Sequence, residues 1–284
     1  MIPAELTERL PLLMDGRPGA WLRRRHPNVA EPIEALNLRR PEWVRAAHQA
    51  FFSSGARVLR TNTHAANVHA LTAHGLAERC EAINNSGAAC VRETVGQRAV
   101  VLGSIGEIPA EAGVPEAERD RAYGQLAVYL SDLGCDALLL DEFRSVAECL
   151  RVLRLVRDAG DAPLLAALAV GAEGNTGDGL ALADAAARLA NAGTDAIGVV
   201  LGPETILDRN AVAGMRAAGL PLAIFQHARP GSSPSGAETA PALDPVAFAD
   251  RLAPFGDGGT VMLGGGVGVT PDHIAALASR LARG

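Results

Sequence analysis

Two histidines and two carboxylates lie at the ends of apolar runs, and side chains of these types can transfer protons. His64 and His227 each follow such a run directly, and Asp141 and Glu142 close another. A neutral imidazole with a pKa near ~6.5 can accept a proton at neutral pH, and a carboxylate can orient it or take a proton itself. We therefore predict catalytic roles for these four side chains. The alternative is that the histidines are loop residues that only hydrogen-bond a neighbour.

The same side chains suggest a second possibility, a bound metal ion. Two histidines with one carboxylate, here Asp141 or Glu142, form a set that binds transition metals. His64, Asp141 and His227 belong to three different predicted strands, so this set requires distant strands to converge. The main prediction is that no metal is bound, and the alternative stays open.

Further polar side chains close predicted strands and could contact a substrate. Their carboxylate, hydroxyl and amide groups can bind the polar groups of a small metabolite. These residues are Asp15, Thr61, Asn62, Thr63, Ser104, Glu107 and Gln226.

A glycine-rich segment near the C-terminus carries no side chain that could do chemistry. It comprises Gly264, Gly265, Gly266, Val267 and Gly268, and it precedes a helix start at Thr270 and Pro271. Backbone N–H groups before a helix can bind phosphate or carboxylate, which makes the segment a candidate ligand or anion loop. An equally good reading is a tight turn that binds nothing.

Eight apolar runs could serve as the strands that position these residues, and each is followed by a stretch long enough for a helix. The runs lie near PLLMDG, ARVLRTNTH, AVVLGSIGE, CDALLLDEF, PLLAALAV, DAIGVVLGP, PLAIFQH and TVMLGG. Continuous apolar runs are typical of strands buried on both faces. Eight such units in 284 residues predict a single (β/α)8 TIM barrel spanning residues 1–284. An open doubly wound sheet is the alternative.

Helix boundaries and one long connection are also readable. Pro41 is expected to open a helix that Gly55 closes, and Thr270 is expected to cap a helix that runs to Gly284. The connection from Ala228 to Pro245 is rich in Gly, Pro and Ser, which predicts a mobile loop over one barrel mouth.

Composition narrows the classes of partner. The net charge is −6, and all 26 basic residues are arginine, with one dense run at residues 23–25. Neither feature favours a nucleic-acid partner, and the absence of lysine excludes a Schiff-base mechanism. We find no signal-peptide pattern and no apolar run of the ~20 residues needed to span a membrane, so we expect a cytoplasmic protein that binds a small molecule. A homo-oligomer or a partner subunit remains open.

The cysteines and the remaining histidines carry little signal. Cys80, Cys90, Cys135 and Cys149 show no CxxC spacing and are expected to be reduced and mostly buried. Four other histidines fall in helical or loop stretches, where we expect them to face solvent; they are His26, His48, His69 and His74.

Nearly the whole chain resembles the homocysteine S-methyltransferase family, which includes the homocysteine-binding barrel of methionine synthase and betaine-homocysteine methyltransferase. The resemblance rests on LLMDGRPGAWL, NLRRPEWVRAAHQAFFSSGARVLRTNTHAAN, VLGSIGEIP, LLLDEFRSVAE and TVMLGGGVGVTPDHI. It implies a barrel that holds homocysteine through residues at the strand ends. In this comparison Asp141 replaces a glutamate of the family and Glu142 a threonine.

The resemblance also implies that a metal site has been lost. Three cysteines bind zinc in the family, and this chain has Leu201, Gly266 and Val267 at those positions. None of these residues offers a thiolate, so we expect the family zinc to be absent and predict no other cofactor. Replacing all three by cysteine is expected to restore zinc binding.

Two functions follow from the resemblance and from the missing zinc-binding cysteines. The first is methyl transfer from an unidentified donor to a thiol or amino-acid-like small molecule without zinc. Asp15, Asn62 and Asp141 or Glu142 would orient the substrate, and another base would have to replace zinc in deprotonating the thiol. The second is a repurposed or inactive barrel that binds a small anionic ligand or serves as a partner subunit.

Overall fold

Eight parallel strands close into one barrel in the computed structural model of this chain, which describes residues 11–229, 242–256 and 259–283. Each strand pairs with the next along the chain, and the last pairs with the first. The strands are β1 (Leu12–Met14), β2 (Val58–Arg60), β3 (Val100–Gly106), β4 (Ala137–Phe143), β5 (Leu164–Val170), β6 (Ala196–Leu201), β7 (Leu222–Gln226) and β8 (Thr260–Gly265). The (β/α)8 TIM barrel is confirmed, and the open doubly wound sheet is wrong because its end strands would not pair.

Helices follow the strands and form the outer layer. In the described ranges they are α1 (Pro18–Arg25), α2 (Leu36–Arg39), α3 (Pro41–Ser53), α4 (Val68–Thr72), α5 (Cys80–Val95), α6 (Glu116–Asp132), α7 (Val146–Ala159), α8 (Leu182–Asn191), α9 (Arg209–Arg216), α10 (Pro245–Leu252) and α11 (Pro271–Leu281). Short 3-10 turns lie at Ile33–Ala35, Ala77–Arg79, Ala110–Ala112 and Ala253–Phe255.

Local sequence accounts for the predicted helix ends. Pro41 opens α3, and Gly55 follows its end with φ +109°, a conformation that glycine adopts without penalty. Thr270 caps α11 in a capping box whose second partner is His273. The predicted end at Gly284 and residues 230–241 of the predicted mobile loop lie outside the described residues.

The apolar side chains of the strands divide between two layers. Leu12, Met14, Val100, Leu139 and Phe225 belong to a buried cluster that only strand residues supply, which is the filling of the barrel. Leu13 and Leu201 belong instead to the layer between strands and helices. The barrel is therefore packed along its axis, and the polar side chains are left to its C-terminal mouth.

The thiols and one further histidine lie outside the barrel strands. All four cysteines are free, and three of them are buried in α5 and α7, while Cys135 precedes β4 at the opposite end of the barrel. The expectation for His48 was wrong: it is fully buried in α3, and burial lowers its pKa to about 3. The amphipathic pattern of α3 places residue 48 on the inner face. Among the described helices, none is long and apolar enough to cross a membrane.

Candidate functional site

A buried arginine that the sequence reasoning did not select lies at the centre of the mouth. Arg60, the last residue of β2, is 2% exposed. Its Nε donates to Oδ1 of Asp15 at 3.3 Å, and its Nη1 donates to both carboxylate oxygens of Asp141 at 3.2 and 3.1 Å. Its Nη2 donates to the carbonyl of Gly265 at 2.7 Å. One guanidinium thereby joins β1, β2, β4 and β8.

The two aspartates bound to Arg60 differ in their electrostatics. Burial raises the pKa of Asp15 to about 8, although Arg60 opposes this rise. Burial also acts to raise the pKa of Asp141, but the guanidiniums of Arg60 and Arg17 outweigh it and hold that pKa well below its usual range. At neutral pH the mouth therefore holds an ionised Asp141 and a largely protonated Asp15.

Glu142 adopts a backbone conformation that is unusual for its type. Its φ is +68°, and it lies where the pairing of β4 with β5 shifts register between Leu140 and Phe143. The side chain is bound from two sides, by Nη2 of Arg17 and by Nε2 of His227. These neighbours outweigh burial and lower the pKa of Glu142 to about 2. A non-glycine residue held at positive φ is uncommon, and such residues cluster at functional sites.

His227 is fixed in one tautomer. The backbone N–H of Val267 donates to Nδ1 at 2.6 Å, so the ring proton lies on Nε2, which donates to Glu142 Oε1 at 2.7 Å. The residue is 4% exposed. Because its basic nitrogen already accepts a hydrogen bond, His227 can take a proton from a substrate only if the Val267 contact opens.

His64 is placed better for proton transfer. It is 28% exposed, and its Nδ1 lies 3.4 Å from Oδ2 of Asp141. This nitrogen is buried and has no hydrogen-bond partner among the described residues. A proton on Nδ1 would face the ionised carboxylate, which leaves Nε2 as the ring nitrogen that can accept a proton from a ligand.

The predicted substrate-binding hydroxyls mainly support one another. The Oγ1 atoms of Thr61 and Thr63 are 2.6 Å apart, Thr61 Oγ1 accepts from the N–H of Ser104 at 3.0 Å, and Thr63 Oγ1 donates to the Ser104 carbonyl at 2.8 Å. Ser104 Oγ donates to Asp141 at 2.9 Å. Of these residues, Thr61 lines the cleft described below.

Three other predicted substrate-binding residues are held by neighbours. Asn62 donates to Ile33 and Asn37 but borders the cleft. Glu107 binds the backbone and Nε of Arg144, and Gln226 donates to carbonyls that include Leu201. Glu107 and Gln226 do not border the cleft.

The glycine segment is packed tightly against its surroundings. The N–H of Gly265 donates to the Asp15 carbonyl, that of Gly266 to the Gln226 carbonyl and that of Val267 to His227. A Cβ on Gly266 would lie 2.3 Å from His227 Nδ1. An anion could use these three N–H groups only by displacing bonds inside the protein, so the loop's role as an anion site stays a prediction that the hydrogen bonds do not favour.

A cleft of about 160 Å³ opens at the mouth beside Arg17, Arg60 and His64. The N-terminus of α1 borders it and has neither a side-chain cap nor an acidic residue in its first turn. Nε of Arg17 is buried there without a hydrogen-bond partner among the described residues. Glu34 is the one carboxylate among the residues that border the cleft. Uncapped helix N-termini and guanidinium groups favour an anionic group of a ligand.

The two-histidine metal set receives no support from this geometry. His64 lies beside Asp141, whereas His227 binds Glu142. Within the described ranges, no three His, Cys, Asp or Glu side chains come together in a way that could hold a metal ion.

The sequence contains one signal for the site role of Arg60 and none for that of Arg17. A charged residue inside a buried apolar run must be paired, and Arg60 interrupts such a run at VLRT. Arg17 follows the Asp15-Gly16 turn, and its partner Glu142 is 125 residues away, which no local pattern reveals.

Comparisons with solved structures show the same fold. The homocysteine methyltransferase MmuM from Escherichia coli, in its metallated form, superposes with a TM-score of 0.76 at 22% identity and covers 99% of each chain. Identity at this level supports the fold alone.

Sequence comparisons show the family. Methionine synthase of Mycobacterium leprae is 28% identical over 88% of this chain, and betaine–homocysteine S-methyltransferase 1 of Xenopus laevis is 30% identical over 56% of it. The matched regions make up 22% and 40% of those two proteins. The model of the family described as homocysteine S-methyltransferase matches residues 12–281. This chain therefore belongs to the homocysteine S-methyltransferase family.

Proposed function

We propose that this protein transfers a methyl group to the sulfur of a small thiol at the C-terminal mouth of its barrel, without a bound zinc ion. Family membership over residues 12–281 is the observation that carries the reaction type. The cleft beside Arg17, Arg60 and His64 is the place for the substrate. Its volume of about 160 Å³ is well below the roughly 300–1,000 Å³ of pockets for drug-sized ligands, so the substrate is a small metabolite.

The residues at the family's zinc positions do not fit a metal ion. Leu201 packs in the layer between strands and helices, and neither it nor Val267 has a side-chain lone pair. At Gly266 the imidazole of His227 fills the space next to Cα. Among the described residues that border the cleft, none is a cysteine that could replace them. These features support a reaction in which protein side chains alone activate the thiol.

His64 is the residue we assign to that activation. A free thiol with a pKa near ~8.5 is only a few per cent thiolate at neutral pH, so a base must take its proton. Nε2 of His64 would accept the proton, and Asp141, whose Oδ2 lies 3.4 Å from Nδ1, would stabilise the resulting imidazolium. The thiolate then attacks the methyl carbon of the donor; the new S–C bond forms as the bond from that carbon to the donor breaks. The guanidiniums of Arg17 and Arg60 lower the free energy of the thiolate.

An anion-binding barrel without catalysis is the second candidate, and one observation favours it. Arg17, Arg23 and Arg60 line the cleft against one carboxylate, Glu34. These guanidiniums and the uncapped start of α1 would bind a carboxylate whether or not methyl transfer follows.

One set of assays separates the two functions. Purified protein is analysed for metal and incubated with thiol acceptors and with sulfonium and quaternary-ammonium methyl donors. We expect methylated product without stoichiometric zinc, and a loss of at least about 100-fold in kcat for His64→Ala, in line with general-base contributions. His74→Ala, at an exposed histidine, is the matched control. Saturable binding of a carboxylate without turnover would favour the second function.

A further inference from the structure

We infer that Arg60 takes the place of a ligand's ammonium group, so the substrate of this mouth is a small thiol carboxylate that lacks an α-ammonium. The inference deepens the proposed function, because it names the class of substrate for the same cleft. It rests on a feature of this chain, the guanidinium that joins the buried carboxylates of Asp15 and Asp141.

Every oxygen of the two carboxylates is already bound by Arg60. Oδ1 of Asp15 accepts from Nε at 3.3 Å and Oδ2 from the backbone N–H at 3.2 Å. The two oxygens of Asp141 both accept from Nη1, and Oδ2 accepts also from Ser104 Oγ. Both aspartates are fully buried. Without Arg60 the ionised Asp141, with Asp15 beside it, would form a buried cation site, because a desolvated carboxylate attracts positive charge far more than an exposed one does.

A ligand ammonium cannot share this place with the guanidinium. Each carboxylate oxygen of Asp15 and Asp141 already accepts from Arg60, and the ammonium would meet a like charge a few ångströms away. Displacing Arg60 would leave a buried arginine without its partners, and removing one partner of a buried ion pair is strongly unfavourable. The contact of the guanidinium with the ring of Phe225, 5.6 Å from the ring centroid, also holds it in place.

The cleft that remains favours the opposite charge. Arg17, Arg23 and Arg60 line it against one carboxylate, Glu34, and the uncapped N-terminus of α1 borders it. Glu34 already accepts from the backbone N–H of Ala65. A carboxylate satisfies the guanidinium and helix donors, whereas an ammonium would lie among three like charges. A thiol carboxylate therefore suits both parts of the mouth better than a molecule that also carries an α-ammonium.

Two molecules that differ only in this group test the inference. Homocysteine and 4-mercaptobutanoate share the thiol, the chain and the carboxylate, and only homocysteine has the α-ammonium. Calorimetry without a methyl donor should show that the wild type binds 4-mercaptobutanoate at least about tenfold more tightly. Arg60→Ala should reverse the preference, and Arg57→Ala, at the other end of β2, should retain it. Equal or tighter binding of homocysteine by the wild type would overturn the inference.

A second measurement tests the inference even if both thiols bind weakly or Arg60→Ala folds poorly. Methylguanidinium should raise the melting temperature of Arg60→Ala, because it replaces the missing group between the carboxylates, and it should not raise that of Arg60→Lys, which keeps a cation there. If Arg60→Ala neither responds to methylguanidinium nor gains affinity for homocysteine, the inference is wrong. These experiments measure binding and stability, not turnover. A protein that does not transfer methyl groups could therefore still pass them, and the two failures are distinguishable.

Discussion

The imidazole of His227 lies in the space that a side chain at Gly266 would need. A Cβ at this glycine would be 2.3 Å from Nδ1 and 2.6 Å from Cε1. The imidazole is held by Val267 on one side and by Glu142 on the other. Residue types at positions 227 and 266 are therefore coupled.

Gly266→Ala should destabilise the protein through this contact alone. The added methyl group must displace the ring of His227 and break its hydrogen bonds, and overpacking of this kind costs about 1–3 kcal/mol. His227→Ala removes the ring, so the double variant should recover most of the loss that Gly266→Ala causes. Denaturant unfolding of the four proteins in a double-mutant cycle measures the coupling.

Gly124→Ala is the control for that cycle, because a Cβ there would meet nothing within 4 Å. It lies inside α6, where alanine is the better helix former, so it should raise stability by about 0.5–1 kcal/mol. Strictly additive effects of Gly266→Ala and His227→Ala would mean that the ring moves aside without loss.

The same contact changes the expected result of restoring the family cysteines. The sequence alone predicts that Leu201→Cys, Gly266→Cys and Val267→Cys together restore zinc binding. We now expect the triple variant to lose stability without binding stoichiometric zinc, since a cysteine at 266 collides with His227. Adding His227→Ala should increase the bound zinc, measured by elemental analysis after dialysis. A triple variant that is as stable as the wild type and binds one zinc per chain would contradict this view.

The pKa of Asp15 predicts how stability depends on pH. Its folded value of about 8 lies above the ordinary 3.8, so the folded state binds this proton more tightly than the unfolded state does. The contribution of Asp15 to stability is fully present below pH ~4 and is lost as the pH rises through about 8. The free energy of unfolding of Asp15→Asn, measured between pH 6 and 9, should therefore fall less than that of the wild type.

Asp132→Asn is the matched control for that series, because Asp132 is exposed at the end of α6. It should follow the wild-type curve. If Asp15→Asn also follows it, Asp15 is ionised throughout this range, and Arg60 outweighs burial.

The sequence predicted the scaffold more completely than the site. Apolar runs, helix caps and turn glycines are local signals, so they locate all eight strands. Residues at strand ends were also found, because parallel strands bring their carboxyl ends to one mouth. The partners of those residues could not be predicted. Arg60 and Asp141 are 81 positions apart in the chain. His227 contacts Gly266 only because the closed barrel brings the ends of β7 and β8 together.

Glu142→Gln should show what the pairing of Glu142 contributes. Its carboxylate is bound by Arg17 and His227, and its pKa is lowered to about 2, so its contribution to stability is present above the ordinary value near 4.5 and is lost as the pH falls toward 2. Glutamine keeps the shape and the positive φ but not the charge. Loss of a hydrogen bond between charged groups is expected to destabilise the protein by about 1.5–3 kcal/mol at pH 7. The difference from the wild type should shrink at pH 3, which urea unfolding at both pH values measures. A difference that is the same at both would assign the effect to geometry rather than to charge.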